Sequence, residues 1–147
     1  MNLAFDVDDT ITAKPELFAA LSAAPGVKRV LIVSSRGNSE ESRRLTLAEL
    51  ETYGIRHHGL HLLEDGPEAR NRCPHPDLDW HQRYLWQKIA ICLREKIDVV
   101  FEDDEKVIEL FRRFAPKIRV IQVHRAAPGN WPLIPFLLSL ILGSSSL

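Results

Sequence analysis

The 147-residue chain is 45% hydrophobic and carries 19 Lys and Arg residues against 20 Asp and Glu residues. This length and composition suit one domain with a substantial core. The net charge of −1 excludes a general electrostatic attraction to nucleic acid or to anionic membranes. The two cysteines form no disulfide framework, and we find no leader peptide or membrane-spanning segment, so the expected setting is the cytoplasm.

Strands and helices are predicted to alternate along the chain. In chain order the hydrophobic pattern predicts strands at 3–7, 28–34, 58–63, 97–101 and 117–123, and helices at 15–23, 38–54, 79–96 and 104–114. Asn38 and Glu41 have the spacing of a capping box, and the polar segment 64–78 is predicted as a loop. This order predicts an α/β fold, a three-layer, doubly wound, Rossmann-like parallel sheet of about five strands.

Polar side chains follow three of the predicted strands. Asp6 and Asp8 come at the end of the first strand, Ser34 ends the second, and Glu102 and Asp103 end the fourth. The carboxyl ends of parallel strands meet at one edge of the sheet, where such folds bind ligands. We therefore expect these side chains to form one site.

The residue types at that edge indicate phosphoryl transfer. Clustered carboxylates repel one another, and Mg²⁺ relieves this repulsion while it binds phosphate oxygens. One carboxylate can then act as nucleophile and a second as general acid and base, while a serine and a cation hold the phosphoryl group.

Three sequence motifs resemble those of phosphatases of the haloacid dehalogenase superfamily, over about residues 2–125: "DVDDT", "LIVSS" and "FEDDEKVI". The resemblance implies a phosphatase with Asp6 as nucleophile and Asp8 as general acid and base. It also implies a Mg²⁺ site formed by Asp6, by Asp8 through its backbone carbonyl, by Asp103 and by Glu102.

The same resemblance implies a set of phosphate-binding residues. Ser34 belongs to the second motif, and the further candidates near it are Thr10, Ser35 and Arg36. The family's third motif is a cation on the helix before the fourth strand. Lys88 fits this motif by spacing and is preferred, whereas Arg83 lies nearer the first turn of that helix.

The chain resembles family members that lack a cap domain, because only a short segment separates Thr12 from the second strand. Within that group, "VSSRGNS" and "FEDDEKVIELFRRF" are similar to the 3′-phosphatase domains of bacteriophage polynucleotide kinases. An open site favours an exposed phosphate, on a nucleotide, an oligonucleotide end or a sugar phosphate.

Several alternatives stay open. Cys73, His75 and His81 could bind zinc, although they are three ligands where a structural site needs four. A receiver-like phosphoacceptor domain could use Asp65, and a non-catalytic interaction module is a third class.

Two further features concern apolar and aromatic residues. Trp80, Tyr84 and Trp86 lie at helical spacing, which favours packing over a base-stacking platform. We expect residues 1–125 to form the phosphatase domain and the apolar tail, 126–147, to pack on it or on a partner subunit in a homo-oligomer.

Overall fold

A computed structural model describes residues 1–124 of the chain. Its centre is a sheet of five parallel strands in the order β3-β2-β1-β4-β5. The strands are β1 (Asn2–Phe5), β2 (Arg29–Gly37), β3 (Gly59–Leu63), β4 (Val99–Glu102) and β5 (Arg119–Gln122). This architecture confirms the predicted Rossmann-like fold.

At least one helix joins each strand to the next. Each of these crossovers returns the chain to the amino edge of the sheet, so that the next strand can run parallel to the one before it. The helices are α1 (Pro15–Ser22), α2 (Glu40–Thr52), α3 (Pro67–Asn71), α4 (Trp80–Arg94) and α5 (Glu105–Phe114). Among the helices of residues 1–124, none combines the length and the apolar character that crossing a membrane requires.

The core has two halves, one on each face of the sheet. Phe5 of β1 packs edge to face against Phe18 of α1 and Phe101 of β4, with ring centroids 4.9 and 5.4 Å away. On the other face, Ala4 of β1 belongs to a cluster with α4 and α5 that includes Ile89. Both faces of β1 are therefore buried, as its apolar sequence requires.

The strand order determines where loops diverge. From β1 the chain proceeds outward to β2 and β3, and then returns to place β4 on the other side of β1. The loops that follow β1 and β4 consequently leave the sheet in opposite directions and open a crevice at its carboxyl edge.

Three local predictions require correction. The cap of α2 is Ser39, whose hydroxyl accepts the Ser42 N–H, whereas the predicted cap Asn38 continues the pairing with β3 through its N–H. The segment 64–78 contains the short helix α3, which Pro67 begins. β2 extends past Ser34 to Gly37. The expected role of the tail, 126–147, falls outside the described residues.

Candidate active site

The segment after β1 turns sharply at the carboxyl edge. The Asp6 N–H donates to the Phe101 carbonyl of β4 (3.1 Å), so the carboxylate begins where the two central strands separate. The Thr12 N–H donates to the Val7 carbonyl and closes a tight turn in which Asp8 has an extended backbone. Within that turn Asp9 has φ +59°, a left-handed conformation that aspartate tolerates better than most residues. This turn separates the side chains of Asp6 and Asp8.

A buried lysine joins two buried carboxylates at this edge. The Lys88 Nζ atom of α4 donates to Asp6 Oδ1 and to Glu102 Oε2, each at 2.7 Å. Lys88 is only 2% exposed, and it lies on the same buried face of α4 as Leu85 and Ile89. A lysine is rarely buried to this extent unless it is paired. The buried face of α4 thus brings the ammonium group to its two carboxylate partners, at the ends of β1 and β4.

Glu102 and Asp103 occupy different environments, although they are adjacent. The second Glu102 oxygen, Oε1, accepts the N–H groups of Asp103 and Asp104, both at 3.2 Å. Asp103 is partly exposed, and its Oδ1 accepts a long hydrogen bond of 3.4 Å from the buried Thr10 hydroxyl. Both oxygens of Glu102 are therefore engaged, while Asp103 faces the crevice.

Burial governs the ionisation of this cluster. Burial raises the pKa of Asp6 and, to about 7, that of Glu102, in each case against the opposing effect of the Lys88 ammonium. Burial raises the pKa of Asp103 as well, and the charge of Asp6 adds to the increase. Burial alone would lower the pKa of Lys88, but the two carboxylates overcome this effect and raise it, so Lys88 stays protonated.

The acidic cluster fits a divalent cation. One carboxylate oxygen from each of Asp6, Glu102 and Asp103 lies within 4.8 Å of the others. When all three carboxylates are ionised, their negative charge exceeds the single positive charge of Lys88 in a partly desolvated site. An all-oxygen donor set of this charge suits a hard cation such as Mg²⁺.

Asp8 is not a member of this group of three and pairs with Arg36. The guanidinium of Arg36 donates to both Asp8 oxygens, at 2.7 and 3.0 Å, and also to Glu49 (2.7 Å) and Thr46 (3.0 Å) of α2. The hydrogen bonds from Arg36 hold the pKa of Asp8 below its usual range. Asp8 is thus a carboxylate held at the rim, and its side chain is 59% exposed.

An irregularity in the pairing of β2 determines the positions of Ser35 and Arg36. The pairing of β2 with β3 changes register between Ser34 and Gly37, so Ser35 and Arg36 leave the regular ladder. Ser34 is fully buried, and its Oγ accepts the Arg36 N–H at 3.3 Å. The Ser35 carbonyl accepts a hydrogen bond from the Tyr84 hydroxyl of α4 (2.7 Å).

Most of the residues predicted for the site lie around one cavity. The cavity has a volume of about 440 Å³ and is lined by Asp6, Asp8, Asp9, Ser35, Lys88, Glu102, Asp103 and Asp104. Arg83 lies elsewhere, because its guanidinium donates to the carbonyls of Leu78 and Pro76, at 3.0 and 3.2 Å. Of the two candidate cations, Lys88 is therefore the one that contacts the acidic cluster.

Glu49, Thr46 and Tyr84 were not predicted for this site. Glu49 and Thr46 support Arg36 from α2, and Tyr84 contacts the Ser35 backbone from α4. No motif surrounds Glu49 or Thr46, so only the tertiary contact of the Arg36 side chain with α2 reveals their role. The helical spacing of Tyr84 and Lys88 was a usable signal, because residues four apart share a helix face.

The alternative sites have different surroundings. Cys73 is buried, His75 stacks on Phe114 with ring centroids 3.9 Å apart, and His81 is exposed. Within residues 1–124, these three do not form a group close enough to share a metal ion. Asp65 is exposed and pairs with Arg70 at 2.8 Å.

Comparison with known proteins identifies similar folds but no family. No protein-family model matches the chain, and no curated protein does. A chain of the Pnkp1/Rnl/Hen1 complex matches over 83% of this chain and 44% of its own length, with 16% identity and a TM-score of 0.56. The UDP-GlcNAc 2-epimerase of Neisseria meningitidis matches over 92% and 35%, with 14% identity and a TM-score of 0.51. This chain thus spans less than half of either structure, and both share its α/β fold.

Proposed function

We propose that this chain is a Mg²⁺-dependent phosphatase of the haloacid dehalogenase type, which forms an aspartyl phosphate on Asp6. The observation that carries the proposal is the buried contact of Lys88 with Asp6 and Glu102, beside Asp103 at the carboxyl edge of β1 and β4. A core ion pair selected for stability alone would not need a third carboxylate and an adjoining cavity. Buried ion pairs contribute little net stability, so their retention favours a chemical role.

Asp6 is proposed as the nucleophile because it lies at the base of the cavity with its charge partly balanced. The Lys88 ammonium opposes the rise in the Asp6 pKa that burial causes, and it gives the site a positive charge near the incoming phosphate. In the first step an Asp6 oxygen would bond to phosphorus while the bond to the leaving-group oxygen breaks. Water would then attack the phosphorus and release phosphate from Asp6.

The metal ligands are proposed from the grouped carboxylates and from the resemblance of the first motif. Asp6 and Asp103 would hold the cation, and Glu102 lies in the same group; the resemblance adds the backbone carbonyl of Asp8. Because both Glu102 oxygens already accept hydrogen bonds, we assign Glu102 mainly to the fixation of Lys88. When bound, Mg²⁺ would neutralise part of the negative charge on the phosphoryl oxygens.

Phosphate binding is proposed for Lys88, Ser34, Ser35, Thr10 and Arg36, with Arg83 left outside the site. Asp8 is proposed as the general acid and base. In the structure its carboxylate pairs with Arg36, so this role requires Asp8 to exchange Arg36 for the leaving-group oxygen. Arg36 would then contact the phosphate, so its positive charge would keep an anionic partner after Asp8 leaves.

The test is a phosphatase screen of the full chain with Mg²⁺, using nucleotides, sugar phosphates and 3′-phosphorylated oligonucleotides. We expect turnover of at least one class, loss of that turnover in chelator, and a beryllofluoride adduct on Asp6. Absence of turnover on every class, or an adduct on Asp65, would contradict the proposal. The second result would favour a receiver-like phosphoacceptor.

A further inference from the structure

Trp80 is a large aromatic residue left exposed at a fixed position. It is the first residue of α4 and is 51% exposed. The start of the helix is held by a capping box, in which Asp79 and Gln82 exchange hydrogen bonds of 2.8 and 3.0 Å between side chain and backbone. The indole therefore projects from an ordered helix end.

Arg70 supports Trp80 from α3. Its guanidinium carbon lies 5.1 Å from the Trp80 ring centroid and 4.8 Å from that of Tyr84. The same guanidinium donates to the Trp80 carbonyl (2.6 Å) and to Asp65 (2.8 Å). These contacts orient the indole but leave half of the residue open to a ligand.

The spacing of three residues on α4 relates Trp80 to the candidate active site. Lys88 contacts Asp6, and Tyr84, one turn earlier, contacts the backbone of Ser35 at the cavity wall. Trp80 lies one turn earlier again. Because α4 begins at the carboxyl edge of the sheet, Trp80 stands beyond that edge, about 12 Å along the helix axis from Lys88.

We infer that Trp80 stacks on the nucleobase of the substrate, so that the substrate class is a base-bearing phosphomonoester: a nucleotide or an oligonucleotide end. The inference rests on the proposed function for the position of the phosphate at Lys88. A flat aromatic face supported by a guanidinium binds another planar ring by stacking, and every nucleobase presents such a ring. A sugar phosphate has no ring system of this kind.

The first test compares two substrates in steady-state kinetics. Trp80→Ala should raise KM for adenosine monophosphates by about tenfold or more, with kcat little changed. It should leave both constants unchanged for glycerol 2-phosphate, which has no base. Trp80→Phe should restore most of the affinity, and Leu93→Ala, which removes another exposed apolar side chain of α4 (49% exposed), should have no effect. An equal change with both substrates, or no change with either, would overturn the inference.

The second test does not depend on turnover. Binding of adenosine monophosphate and of glycerol 2-phosphate is measured by calorimetry with the Asp6→Asn chain and with the Asp6→Asn, Trp80→Ala chain. Weaker binding of the nucleotide alone in the double variant supports stacking, even if the screen finds no phosphatase activity. Equal binding of the nucleotide by both chains would overturn the inference and leave the proposed phosphatase function standing or failing on its own screen.

Discussion

The two edges of the sheet carry charged residues in contrasting arrangements. At the amino edge, Arg29 at the start of β2 pairs with Glu95 at 2.5 Å, and both side chains are partly exposed. At the carboxyl edge, Lys88, Asp6 and Glu102 are almost fully buried, and Asp103 adds a further negative charge. At the amino edge Glu95 also accepts from Arg94 (3.1 Å), so the single carboxylate is partly solvated and has enough cations to neutralise it. At the carboxyl edge three desolvated or partly desolvated carboxylates share one cation, Lys88.

This difference separates charges that stabilise the fold from charges that serve a site. An exposed ion pair contributes at most about 1 kcal/mol, since water and salt screen it. Buried carboxylates lose hydration, and this loss raises the pKa of Asp6 and Glu102. A fold under selection for stability alone would replace them with apolar residues, so their presence at one edge supports the proposed chemical role.

Asp6→Asn is the change with the largest expected effect. It preserves the shape of the side chain but removes the proposed nucleophile, so turnover should fall by at least about 10³-fold. Steady-state assays with Mg²⁺ measure the loss. The matched control is Asp9→Asn, because asparagine also tolerates the left-handed conformation of residue 9. Turnover in the Asp6→Asn variant close to that of the wild type would contradict the proposal that the carboxylates at the carboxyl edge serve catalysis.

Lys88→Met should reduce both activity and stability. Loss of the ammonium leaves Asp6 and Glu102 facing each other without a counter-ion, which costs about 3–5 kcal/mol in a buried pair. Activity should fall by about 10²-fold. Urea unfolding measures the stability loss, and a Lys88→Met, Glu102→Gln chain should recover part of it. Unchanged stability in the single variant would mean that the cluster is far less desolvated than the structure indicates.

Asp103→Asn should weaken metal binding while the fold persists, because Asp103 is the partly exposed member of the cluster. In the wild-type chain, Mg²⁺ at about 100 times its Kd should add about 2.7 kcal/mol to the free energy of unfolding. The variant should need at least about tenfold more Mg²⁺ for the same increase in Tm. Asp104→Asn, which changes the adjacent capping residue of α5, is the matched control. Equal Mg²⁺ responses in the two variants would contradict the assignment of Asp103.

Glu95→Gln, at the amino edge, should have the smallest effect. Arg29 holds the pKa of Glu95 below its usual value of 4.5, so ionised Glu95 stabilises the folded state. This contribution is complete above the unfolded-state pKa and is lost as the pH falls through the lower folded-state pKa. The variant should lose less than about 1 kcal/mol at pH 7, and activity should not change. Urea titrations at pH 7 and pH 3 should show a smaller difference from wild type at the acid value.

Local sequence was sufficient to predict the architecture. Apolar runs such as "VLIV" and the amphipathic segment "EKVIELFRRF" carry the periodicity of buried strands and surface helices, and these elements form as expected. Because the strands could be predicted, their carboxyl ends could be searched for polar residues. The bulge at Ser35 and Arg36 could not be predicted, because it depends on how β2 and β3 pair near their ends.

By itself, then, the sequence determined the order of the elements and the acids that follow β1 and β4, since both depend on residues close together in the chain. Tertiary structure decided which of these groups meet. Lys88 and Arg83 are equally cationic in sequence, but only Lys88 lies on the buried face of α4 and reaches Asp6. Asp6 and Asp8 are two residues apart, yet the turn that begins between them leaves Asp6 buried beside Lys88 and brings Asp8 to Arg36. Burial and pairing are properties of distant residues brought together, and they set the charge state on which any chemistry at this edge depends.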